Sequence, residues 1–180
     1  MERVVAKSLD EWFELARPFE EFLDATVKNR QLWHDIHARV RLPESLAEAP
    51  ARPDLRLLAI AEDWCGDAVN TLPVVARMAD RLGMELRVLG RDAWPELMDR
   101  YLTDGRSRSI PVVIVLDGAG RELGWWGPRP RPLQTWVLGD GQRRMPDERR
   151  REQRRWYVLD RGRTTIAELT SIWDGADTQP

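Results

Sequence analysis

Over residues 8–42 apolar positions recur at roughly helical intervals, with Phe19, Phe22, Leu23, Val27, Trp33, Ile36 and Val40 on the pattern. Ser8 with Glu11 makes a capping box at its start, and Pro18 breaks or kinks it. RLPESLAEAPARP (41–53), with three prolines, is expected to be a connector. The period then changes. LRLLAIAE (55–62) is a nearly continuous apolar run, the pattern of a buried parallel strand. DAVNTLPVVARMADRLG (67–83) puts Leu72, Val75, Met78, Ala79 and Leu82 on one helical face, with Gly83 as its stop. MELRVLG (84–90) predicts a second strand and AWPELMDRYL (93–102) a second helix. IPVVIVLDGAGRELGWWG (110–127) predicts two strands joined at Asp117-Gly118-Ala119-Gly120. Strand–helix–strand–helix–strand–strand is an α/β order with a parallel part and an antiparallel edge.

PRPRP (128–132) closes that block. Beyond it lie LQTWVLGD, an arginine-rich stretch, and TTIAELTSIWDG, with a second capping box expected from Thr165 and Glu168 and an end at Gly175. The expected division of the 180 residues is one domain. A helical N-terminal extension (1–50) and a C-terminal helical part (128–180) flank an α/β core (53–127).

Composition narrows the classes. Hydrophobic residues make up 42% and charged residues 32%, as in ordinary globular proteins. A net charge of −2 gives no global field for nucleic acid or anionic membrane, so neither is expected as a partner. No apolar run approaches the roughly 18 residues that cross a bilayer. MERVVAKSLDEW has no basic-then-apolar secretory pattern, and the single cysteine permits no internal disulfide; both fit a cytoplasmic protein. The nine tryptophans read mainly as packing residues.

The candidate chemistry lies in EDWCGDA (62–68), which holds that cysteine. A strand ends at Glu62 and a helix begins just after Cys65, where unpaired N–H groups and the helix dipole favour a thiolate. Glu62, Asp63 and Asp67 oppose that ionisation. Asp67 has an alternative role, capping the helix it begins. His34 and His37 in HDIH have the spacing of a metal pair but no third ligand in view, so no metal and no cofactor are expected. RRMPDERRREQRR (143–155) reads as an exposed helix of mixed charge. Gly118 and Gly120 belong to a hairpin, not a phosphate loop.

These residues resemble the thioredoxin superfamily. WCGDA matches a Trp-Cys-Gly-x-Cys site except at its last position, Pro73 stands where the family kinks its active-site helix, and SIPVVIVLDGAGRELGWWG resembles the family's proline, edge-hairpin and glycine segment. The helical ends resemble a bacterial thioredoxin-like branch with a Cys-Gly-Asp-Ala site. The resemblance implies a thioredoxin-like fold, Cys65 as the attacking thiol, a cis-proline at Pro111, and a substrate groove formed by Trp64, Gly66, Asp67, Ile110 and Pro111. Two positions depart from the family: its resolving cysteine falls on Ala68, and its buried aspartate on Ala59. Two functions follow. One is a monothiol oxidoreductase of cytosolic redox handling, in which Cys65 forms mixed disulfides with a protein or low-molecular-weight thiol and an external thiol resolves them. The other is a non-catalytic peptide- or protein-binding module. A full dithiol reductase is not expected, and the sequence leaves the oligomeric state open.

Overall fold

The computed structural model describes residues 6–175. Ser8 caps α1 (Leu9–Leu15) with the reciprocal Glu11 bond of a capping box. The chain then makes a two-residue strand, β1 (Arg17–Pro18), α2 (Phe19–Ala25) and α3 (Arg30–Arg39). Pro18 therefore ends one helix and lies in an edge strand, where its missing N–H costs no ladder bond. The proline-rich connector contains one short helix, α4 (Glu44–Ala47).

Next come β2 (Arg56–Ile60), α5 (Gly66–Leu82), β3 (Glu85–Leu89), α6 (Pro95–Met98), β4 (Val112–Leu116) and β5 (Glu122–Trp126). They form a mixed sheet in the order β1-β3-β2-β4-β5, in which only β2 and β3 are parallel. All five residues of β4 are buried, which explains an apolar run without alternation. The β4–β5 turn closes as the Asp-Gly-Ala-Gly motif predicts: the Asp117 N–H donates to the Arg121 carbonyl. The Asp117 carboxylate accepts from the amides of Ala119 and Arg121. Gly83 ends α5 with φ +71°, a left-handed cap that suits glycine.

The expected helix over 93–102 is only α6. Trp94, its N-cap residue, meets Trp12 edge-on, at 5.2 Å between ring centroids. Leu97 and Met98 are fully buried beside it.

After β5 come α7 (Arg131–Leu138), a 3-10 turn (Asp140–Arg143), α8 (Pro146–Asp160) and α9 (Arg163–Trp173). The expected Thr165–Glu168 capping box is absent. Asp160 binds the Thr164 amide at the start of α9 instead. Glu168 reaches across to the Trp126 indole N–H at 2.6 Å and the Arg131 amide at 2.9 Å. One buried cluster runs from Leu9, Trp12 and Phe13 through β2, α5 and β4 to Ile166 and Leu169. Both helical ends therefore share the apolar burial that stabilises the sheet.

Candidate functional site

Cys65 is the N-cap of α5, at the carboxyl end of β2. Its Sγ accepts from the Ala68 N–H at 3.4 Å and lies 3.4 Å from the Ile110 carbonyl, to which the thiol donates. The Ile110–Pro111 peptide is cis. Topology brings these distant residues together, because β4 starts at Val112 and pairs antiparallel with β2, Ile60 opposite Val112. The end of β5 seals this corner. A Cβ on Gly127, which has φ +139°, would stand 2.2 Å from the Pro111 carbonyl oxygen, so only glycine allows the approach.

The sulfur is enclosed, with Cys65 only 7% exposed. Burial is the largest influence on the thiol and pushes its pKa above the ordinary value; the charge of Asp67 adds to this. The Ala68 and Asp67 amides and the charge of Arg129 pull the other way without prevailing. The expected thiolate preference is thus reversed. The helix-terminal amide does point at the sulfur, but desolvation of a buried anion outweighs it.

The three neighbouring carboxylates are all engaged. Glu62 accepts from the Asp92 amide at 3.0 Å. Asp63 accepts from the Val27 and Lys28 amides, both at 2.8 Å, while its carbonyl takes the Trp33 indole N–H at 2.9 Å. Asp67 does not cap α5. Its Oδ1 accepts from the Tyr157 hydroxyl at 2.8 Å, and its Oδ2 pairs with Arg129 at 2.7 Å. Burial first, then the Asp67 carboxylate, push the Tyr157 hydroxyl far up, so it stays a donor. Arg129 also donates to Gln134 at 2.8 Å.

Of the residues expected at the site, Cys65, Ile110 and Pro111 meet at one corner. Gly66 and Asp67 instead line a cleft beside α8. Trp64 is 47% exposed, with the Arg91 guanidinium 5.0 Å from its ring centroid. Ala68 and Ala59 are both fully buried. Sequence reasoning missed Arg129 and Tyr157. The available signal was weak: an aromatic pair in an otherwise charged helix, with nothing to say which acid Tyr157 meets. His34 and His37 lie on α3, where both Nε2 atoms are buried without a hydrogen bond. No group of three or more metal-ligating side chains occurs among the described residues.

A β-α-β-α-β-β core with a cysteine opposite a cis-proline is the architecture of a thioredoxin. The family profile described as thioredoxin matches residues 16–155, so the chain belongs to the thioredoxin family. A search of curated proteins found no match. Among solved structures, the chain is similar to a protein of unknown function from Pseudomonas aeruginosa, with 22% identity and a TM-score of 0.75. That match covers 96% of this chain and 100% of the other. It is also similar to an HIV epitope-scaffold, with 21% identity and a TM-score of 0.72, over 95% of this chain and 100% of the other. Both likenesses concern the fold.

Proposed function

We propose that this protein is a monothiol member of its family. A Cys65 thiolate attacks one sulfur of a partner disulfide, a Cys65–partner bond forms, and the departing thiolate leaves with the bonding electron pair and takes a proton from water. The Cys65 proton goes to solvent. An external thiol then attacks the mixed disulfide and returns Cys65 to its reduced form, itself becoming disulfide-bonded to the partner. The observation that carries this reading is the placement of the chain's one thiol at the N-cap of α5 beside Ile110-Pro111, with Ala68 following. With no second thiol in the chain, release depends on a molecule from outside.

A raised thiol pKa slows attack without abolishing it, because the smaller thiolate fraction is partly offset by higher intrinsic nucleophilicity. The same enclosure supports a second reading, a binding module in which Cys65 packs and does not react. Intact-mass measurement after exposure to bis(2-hydroxyethyl) disulfide separates them. We expect one adduct, on Cys65, stable until a thiol is added and absent from Cys65→Ser. No adduct in the folded protein, with full modification after unfolding, would favour the binding module.

A further inference from the structure

The face of α8 that looks back at the cysteine loop carries Arg150, Gln153, Arg154 and Tyr157, positions one helical turn apart along a single stripe. Together with Gly66, Asp67, Val69 and Asn70 of α5, and with Asn29 and Leu32, they enclose a cleft of about 240 Å³. Its walls supply hydrogen-bond donors and positive charge. The carboxylate lining it, Asp67, has both oxygens engaged, by Tyr157 and Arg129. Arg150 is ion-paired with Asp147, one turn earlier in the helix. Arg154 makes no ion pair among the described residues, and neither it nor Gln153 has a side-chain hydrogen bond there. Gly66, the residue after the cysteine, offers open space at its Cα. The helix is mixed in charge overall, yet none of its acids lines the cleft.

The Arg154 guanidinium and the Gln153 carboxamide, with Arg150 one turn away and the Asp67 carboxylate already neutralised, fit an anion, and a planar carboxylate matches the guanidinium fork. We propose that this cleft binds the carboxylate end of a low-molecular-weight thiol or its disulfide, so that the external thiol serving Cys65 is an acidic one. The inference rests on the monothiol reading for its chemistry but not for its binding. In the exchange, an anionic disulfide R–S–S–R loses one half as R–S⁻, which is protonated by water, and the other half becomes Cys65–S–S–R with its carboxylate on Arg154 and Arg150. A second R–SH, deprotonated, attacks that bond, regenerates R–S–S–R and releases Cys65.

The test compares dithiodipropionate, a dianionic disulfide, with bis(2-hydroxyethyl) disulfide, which is neutral, following adduct formation at Cys65 by intact mass. The wild-type ratio of the two rates is set against that of Arg150→Gln/Arg154→Gln. We expect the double substitution to lower the dianion rate about fivefold, the scale of a partly exposed charge contact, and to leave the neutral rate unchanged. Equal ratios in wild type and variant would overturn the cleft while leaving the monothiol reading standing. If neither disulfide labels Cys65, the monothiol reading fails, and binding alone decides the cleft. S-methylglutathione, which carries carboxylates and no free thiol, is then titrated by calorimetry in low salt. Binding that weakens about fivefold in the double variant supports the cleft, and absence of binding, or binding indifferent to the substitutions, overturns it.

Discussion

Asp63 and Asp67 flank one cysteine in one loop, yet they hold opposite ends of the molecule by different means. Asp63 gathers neutral backbone amides from the turn between α2 and α3, and the Trp33 indole binds its carbonyl. Asp67 holds two side chains from the C-terminal part, the Arg129 cation and the Tyr157 phenol. The first arrangement fixes where the loop lies. The second also fixes the charge beside the sulfur, because the Asp67 carboxylate and Arg129 act on Cys65 with opposite sign. The added helices are therefore part of the cysteine's environment, one end setting position and the other electrostatics.

The largest effect is expected just after β5, where the chain passes Pro111. Gly127→Ala places a methyl against the Pro111 carbonyl and the Val112 Cα, at a φ that L-residues avoid, so β4 and β5 must shift. We expect a loss of about 3 kcal/mol in urea unfolding, together with increased exposure of Cys65 to alkylation. A stable protein with an unchanged alkylation rate would show that the corner is looser than described.

Arg129→Met removes one partner of a pair whose side chains are 20% and 14% exposed. We expect destabilisation of about 2 kcal/mol, below that of a fully buried pair because both groups keep some solvent. The Cys65 thiol should also rise further, since a pull toward ionisation is gone. Asp63→Ala should cost about 1 kcal/mol and speed hydrogen exchange at Val27 and Lys28, yet leave the alkylation pH profile where it was. If both variants shift that profile equally, the division between positioning and charge is wrong.

The smallest effect concerns His37, on the N-terminal side. Burial first, then Arg77, lower its pKa below 6.5, so the folded state resists a proton that the unfolded chain accepts. Its contribution is present above about pH 6.5 and is lost as pH falls toward the folded value. Thermal midpoints should therefore decline between neutral and mildly acidic pH, less steeply in His37→Phe.

The core was readable because its signals are local. A nearly continuous apolar run gave β2, a one-sided 3.6 period gave α5, Gly83 gave its end, and an Asp-Gly turn joined β4 to β5. Ser8 and Glu11 cap as their spacing says. Thr165 and Glu168 have the same spacing and do not, because Trp126 and Arg131 lie within reach of Glu168. β1 was invisible: two residues carry no period, and the strand exists because β3 has a free edge. The sulfur's neighbours followed the same rule. Its helix-terminal amide was legible from position, whereas the burial that dominates its ionisation depends on packing that only the folded chain creates. Asp67 was misjudged because Tyr157 lies 90 residues away.

Enclosure, assisted by Asp67, governs Cys65 more than the helix end does. The most direct measurement is the rate of iodoacetamide alkylation of native Cys65 across pH, read by intact mass. We expect a midpoint above the ordinary cysteine value of about 8.5, moving down in Asp67→Asn as the adjacent negative charge is removed. A wild-type midpoint below that value would contradict it, and would mean that the helix N-terminus had made a thiolate after all.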